Sequence, residues 1–323
     1  MNVKLNLNEM YKSPPKTVTN PVKKCIRKIH RYTPQKEVDT LINELSLYCN
    51  IPNDSFFLSS GSDLLIKEFI FLFSSNRQII ISDPTFIIIN NAAQNTGSSL
   101  IKIRLQEPDF KISIDPLLKE LDKPSLLVFD NPNNPTGNLI INQKDIESIS
   151  KIDNVILLID EAYFEFSNIS FIHLIEKYPN LAIVRTLSKS FGLAGSGIGY
   201  LIAGDIIRRK FQGLEIMLPY PSVIAGINAL RNPGYMTDYV DEIQNEKERI
   251  SKYLSEFNIN VFPSYTNFLL LKMKIPNISQ ILTEKGILVH NASAQLGSDY
   301  IRVTIGSKKE NDYFLSIIKK VYS

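Results

Sequence analysis

Ser125-Leu126-Leu127-Val128-Phe129-Asp130-Asn131-Pro132-Asn133-Asn134-Pro135-Thr136-Gly137 joins an unbroken apolar run to a polar loop cut by two prolines. A run without polar alternation is a strand buried on both faces, the kind a parallel sheet uses. Residues 78–82, 155–159, 182–185 and 198–203 repeat the pattern. Segments with helical spacing lie between them, at 63–73, 143–150 and 171–176. Strands alternating with helices over this length predict an α/β domain with a mostly parallel sheet flanked by helices, and a ligand site at the carboxyl ends of the strands.

Working outward, the texture changes after Pro221. Residues 236–257 form a long amphipathic helical pattern with Glu246, Lys247 and Arg249 on its wet side. Short strand-like runs follow at 266–272, 287–290 and 300–305, and a helical pattern at 310–321 ends the chain. This reads as a small α+β domain. The first 25 residues are rich in Pro and Lys and read as an ordered arm. The expected division is a large domain at 26–224 and a small domain made of 1–25 and 225–323.

A chain of 323 residues exceeds one compact core, which agrees with two domains. The 36 Lys+Arg against 33 Asp+Glu leave a net charge of only +3, without an electrostatic footprint for nucleic acid. Two cysteines, Cys25 and Cys49, and three scattered histidines, His30, His173 and His290, give neither a disulfide framework nor a metal-ligand spacing. Residues 64–73 form the most apolar run, interrupted by Lys67 and Glu68 and too short to span a bilayer. No metal, no nucleic acid, no membrane and a cytoplasmic location are the expectations.

Four segments carry chemistry. Thr186-Leu187-Ser188-Lys189-Ser190-Phe191-Gly192-Leu193-Ala194-Gly195 follows a strand and sets a lysine among hydroxyls and glycines. Such a lysine is readily desolvated, loses its proton more easily and attacks carbonyl carbon. An isolated Ser-Lys pair would read as a solvated loop. Asp160-Glu161-Ala162-Tyr163 puts a carboxylate at the end of a buried strand, where it is costly unless paired. A protonated pyridine nitrogen would pair with it, and a helix N-cap is the plain alternative. In the 130–137 loop the X-Pro steps force an extended, sharply turned backbone that presents an Asn side chain at the sheet's ligand edge. Ser59-Ser60-Gly61-Ser62-Asp63 enters a helix through a glycine, which suits an anion, though N-capping explains Ser62 equally well. The glycines at 195, 197 and 199 lack the spacing and the following helix of a dinucleotide-binding turn.

Taken in order, these segments resemble the fold-type I, class I/II pyridoxal-phosphate aminotransferases, above all the histidinol-phosphate aminotransferases and their sister group, the threonine-phosphate decarboxylases. Leu5-Asn6-Leu7-Asn8-Glu9, Arg31-Tyr32, Pro84-Thr85-Phe86, Pro219-Tyr220-Pro221, Thr266-Asn267-Phe268 and Ile301-Arg302-Val303-Thr304-Ile305-Gly306 extend the resemblance over nearly the whole chain. It implies pyridoxal 5′-phosphate as cofactor, bonded to Lys189, which also shuttles the substrate proton. Asp160 would pair with the ring nitrogen, Asn134 and Tyr163 would bind the ring oxygen, and Phe86 would stack on the ring. Gly61, Ser62, Asp63, Thr186 and Ser188 would surround the phosphate, joined by Tyr32 from a second copy, which implies a homodimer with shared sites. Arg302, and with it His290, would face the substrate, a small amino acid, keto acid or phosphorylated amine.

Two positions depart from the family. Gly197 stands where the family places an arginine that grips the cofactor phosphate, and one lost charge-assisted hydrogen bond costs about 1.5–3 kcal/mol. His290 stands where histidinol-phosphate aminotransferases carry an arginine, which weakens the case for a phosphorylated substrate. The resemblance implies transfer of an amino group from histidinol phosphate to 2-oxoglutarate. A decarboxylase of a phosphorylated amino acid, and a member that has lost catalysis, are the alternatives.

Overall fold

The computed structural model describes residues 3–212 and 217–322. Its large sheet has seven strands: β2 (Phe56–Ser60), β3 (Gln78–Asp83), β4 (Leu100–Arg104), β5 (Ser125–Asp130), β6 (Val155–Asp160), β7 (Leu181–Thr186) and β8 (Ile198–Ala203), in the order β2-β8-β7-β6-β5-β3-β4. Strands β4, β3, β5, β6 and β7 pair in parallel. The sheet is mostly parallel, as expected, but strand β8, read with the parallel strands, runs antiparallel to both β7 and β2. The reversal is local: β7 and β8 are joined by residues 187–197, a hairpin-length connection too short for the helical crossover that parallel pairing needs. It brings the amino end of β8 beside the carboxyl ends of its neighbours.

Burial explains the unbroken apolar runs. Every residue of β5, β6, β7 and β8 is buried. One face packs Phe69, Ile79, Ile81, Val128, Leu158 and Val184, and the other packs Ile80, Leu127, Phe129, Leu157 and Ile183. The helical pattern at 171–176 forms only a single 3-10 turn, Ile172–Leu174. Pro179 and the buried strand that follows leave it no room to continue.

The second sheet has five strands, β1 (Val3–Leu5), β9 (Asn260–Val261), β10 (Phe268–Lys272), β11 (Ile287–Asn291) and β12 (Tyr300–Thr304), in the order β1-β11-β12-β10-β9. The helices Gly234–Ser255 and Lys308–Tyr322 cover it through Ile243, Ile250, Leu254, Phe314 and Ile318. The N-terminal arm divides its allegiance. Strand β1 pairs with β11 in the small sheet, whereas the helix Lys16–Cys25 packs on the helix Tyr220–Leu230 and sends Val18 into the large core. Among the described residues no helix is long and apolar enough to cross a membrane.

Candidate active site

The carboxyl ends of β2, β5, β6 and β7 and the amino end of β8 meet at one edge of the large sheet. Above that edge β11, β12 and the arm close a cavity of about 700 Å³. Lys189, Asp160, Tyr163, Asn134, Phe86, Gly61, Ser62, Asp63, Thr186, Ser188, Arg302 and His290 all line it. Tyr32 does not: it is 81% exposed, beside exposed Ile29 and Ile26.

Lys189 sits in the turn after β7, half-buried, with Nζ donating to Leu7 O at 3.3 Å. Burial lowers the pKa of its ammonium, and the Arg302 guanidinium lowers it further. The amine is thereby brought closer to the neutral, nucleophilic form.

Asp160 and Glu161 are adjacent carboxylates with opposite surroundings. Glu161 receives Arg185 Nε and Nη2 at 3.0 and 2.8 Å in a buried ion pair. Asp160 is 4% exposed, accepts the Ala162 N–H at 2.9 Å and has no ion-pair partner among the described residues. Burial pushes its pKa up to about 8, helped by the Asp130 carboxylate across the β5–β6 ladder. A buried acid left without a cation at the floor of a cavity is a receptor for a protonated ring nitrogen, so the residues present fit the pyridine of pyridoxal phosphate.

Asp130 is the residue that sequence reasoning passed over. Its carboxylate is 2% exposed and accepts from Thr85 Oγ1 at 2.8 Å, Phe86 N at 3.2 Å, Asn133 Nδ2 at 2.9 Å and Asn134 N at 2.7 Å. One carboxylate thus ties the Phe86 turn to the Asn134 loop and fixes both walls. Burial raises its pKa to about 6, against the pull of these donors. The buried, polar Asp at a strand end was visible in the sequence, but its donors come from two separate loops.

The phosphate end is built mainly of backbone. Gly61, at φ +93°, turns the chain into the twelve-residue helix Ser62–Phe73, whose first N–H groups are free of helical partners. A Cβ on Gly199 would come within 2.3 Å of Gly61 C and Ser62 N, so β8 presses directly against this turn. Thr186 Oγ1 accepts from Ser188 N at 3.1 Å, and its proton goes to Ile198 O or to Ser188 Oγ, each at 2.9 Å. Thr186 therefore positions Ser188 and presents no free donor, unlike the expected phosphate contact. Asp63 is exposed in the first turn of the helix, where its charge suits the helix dipole but has the sign of a phosphate. Gly197 adopts φ +54°, and the nearest atom to a Cβ built there is 3.8 Å away. The space for a side chain exists, but the cradle has no cation there.

The upper wall carries Arg302, paired in register with His290 and 6% exposed. Its Nη1 donates to Asn134 Oδ1 and its Nη2 to Asn6 O at 2.6 Å, while Nε has no partner. Asn134 is thus already bridged to Arg302 by its carbonyl oxygen, leaving its amide N–H to face a ligand. Burial, then Arg302, lowers the His290 pKa to about 4, so the imidazole is neutral near pH 7.

The model of the aminotransferase class I and II family matches residues 2–318. A histidinol-phosphate aminotransferase of Thermoanaerobacter pseudethanolicus is 33% identical over 98% of this chain and 92% of its own. The histidinol-phosphate aminotransferase structure from Clostridium acetobutylicum superposes with a TM-score of 0.90 at 24% identity, covering 99% of each chain. That from Sinorhizobium meliloti, in complex with pyridoxal 5′-phosphate, gives 0.88 at 21%, covering 99% of this chain and 90% of its own. The chain belongs to the class I and II aminotransferase family and is a pyridoxal-phosphate-dependent aminotransferase.

Proposed function

We propose that the protein transfers the amino group of histidinol phosphate to 2-oxoglutarate, as a homodimer with shared sites. The observation that carries the reading is Arg302, a buried guanidinium in the cavity wall above Lys189 and Asp160, with one nitrogen unpaired. The names of full-length relatives at 30–33% identity support the same donor.

When bound, the cofactor supplies an electron sink that acidifies the donor's Cα–H bond. Lys189 would hold the cofactor through its Nζ and would move the proton from the substrate Cα. Asp160 would hold the ring nitrogen protonated, an arrangement that would relieve its own unpaired burial. Tyr163 Oη and Asn134 Nδ2 would donate to the ring oxygen, and Phe86 would hold the ring by stacking. Ser62, Ser188 and the first N–H groups of the helix Ser62–Phe73 would hold the phosphate. Tyr32 of the second copy completes that end, which accounts for its exposure together with Ile26 and Ile29. Arg302 anchors the acid group of the donor and then that of the acceptor. Asn6, Leu7, His290 and Gln295 cover the substrate and restrict water.

A half-reaction screen tests the proposal. Protein loaded with pyridoxal phosphate should lose its lysine-bound absorbance band on addition of histidinol phosphate, and 2-oxoglutarate should restore it. Lys189→Ala should give no such band. Reaction with simple amino acids but not with histidinol phosphate would reassign the donor. Stoichiometric CO₂ from a phosphorylated amino acid such as threonine phosphate, offered as a separate donor, would make the protein a decarboxylase.

A further inference from the structure

Asn8 lies in the arm, 2% exposed and at φ +55°, with every polar group engaged. Its backbone N–H donates to Thr304 Oγ1 at 3.0 Å, and its carbonyl accepts from Asn267 Nδ2 at 3.1 Å. Thr304 Oγ1 donates in turn to Asn8 Oδ1 at 2.9 Å. The amide nitrogen of the side chain donates to Tyr163 Oη at 2.8 Å. The orientation of the amide follows from this closed set. A backbone N–H can only donate, so Thr304 Oγ1 must accept from it and has its own proton to give to Asn8 Oδ1. The opposite side of the amide, facing Tyr163, is therefore the donor.

A phenol has one proton. Tyr163 Oη accepts from Asn8, its ring is held edge-on to Phe268 with centroids 5.4 Å apart, and its open side is the cavity. We propose that Asn8 is a positioning residue that turns the Tyr163 hydroxyl proton into the cavity, toward the ring oxygen of the cofactor. Residues 267 and 304 belong to the small domain and Tyr163 to the large one, so the proton is aimed only when the arm is seated between them. The inference rests on the assignment of Tyr163 to the ring oxygen.

The test is a double-mutant cycle on protein loaded with pyridoxal phosphate, read as the pH midpoint of the absorbance change of the lysine-bound cofactor. A donor to the ring oxygen favours its anionic form and holds that midpoint down. Y163F should raise it by about one pH unit, a tenfold change in the proton equilibrium. In the N8D background the carboxylate accepts the phenolic proton instead, so the further step on adding Y163F should nearly vanish. The charge that N8D introduces is present on both sides of this comparison and cancels. N8G keeps the backbone bonds and tolerates the positive φ, so it serves if N8D does not fold. The Y163F step should shrink in that background as well. A full-sized step in either background overturns the inference. If Y163F alone leaves the midpoint unmoved, the role of Tyr163 fails instead, and absence of the band in the unmodified protein would sink the whole site assignment.

Discussion

Asp160→Asn in the cofactor-free protein should make the protein more stable at alkaline pH. The folded chain holds the Asp160 carboxyl at a pKa of about 8, against an ordinary 3.8. The folded state therefore binds this proton more tightly than the unfolded state. The associated stability is complete below about pH 4 and is lost as pH rises through 8. Between pH 6.5 and 8 the loss runs at about 1.4 kcal/mol per pH unit, roughly 2 kcal/mol in all. Asparagine keeps the shape and the Ala162 contact but never ionises. Urea unfolding of both proteins across this window isolates the effect, because distant groups that also titrate there, such as Lys247 with its pKa lowered to about 8 by burial, contribute alike to both and cancel in the difference. The variant should gain about 2 kcal/mol relative to the parent by pH 8 and level off near pH 9. Loading the parent with pyridoxal phosphate should flatten its slope, since the carboxylate then has a cation. A pH-independent difference between the two would refute an unpaired buried acid at this position.

Gly199→Ala should weaken cofactor binding at least tenfold, because its Cβ meets the Gly61–Ser62 backbone at 2.3 Å and must push the phosphate turn away. Fluorescence titration of the cofactor would measure this. Gly197→Arg should tighten binding roughly 3- to 30-fold: a restored charge-assisted bond outweighs about 1 kcal/mol of left-handed backbone strain. A weaker complex in the same titration would mean that the phosphate end already has its cation. Arg302→Lys should raise the KM for the donor about tenfold or more while changing cofactor affinity little, because lysine lacks the fork that engages Asn134, Asn6 and a ligand together. Steady-state kinetics with equilibrium cofactor binding would separate the two.

Much of the fold was legible in apolar runs. The strands at 125–130, 155–160 and 181–186 are continuous and buried on both faces, and their shortness and β-branched content favour a strand over a buried helix. Lys189, Asp160 and Asn134 were legible for a related reason: each is a polar residue at the end of such a run or within four residues of it, where the chain leaves the sheet. The reversed direction of β8 was not legible, because a run buried on both faces looks the same in either direction.

Local sequence thus determined which segments are strands and which polar side chains stand at their ends, since both follow from residues close together in the chain. Pairing partners came only with the tertiary structure. Asp130 gathers donors from residues 85 to 134, Asn8 meets Tyr163 and Thr304 across the whole length of the chain, and Arg302 reaches Asn6. Glu161 and Asp160 are neighbours in sequence, yet alternation along the strand gives one an arginine and the other none. The charge state of each carboxyl depends on what packs against it from distant segments, and burial of that kind is a property of the folded chain alone.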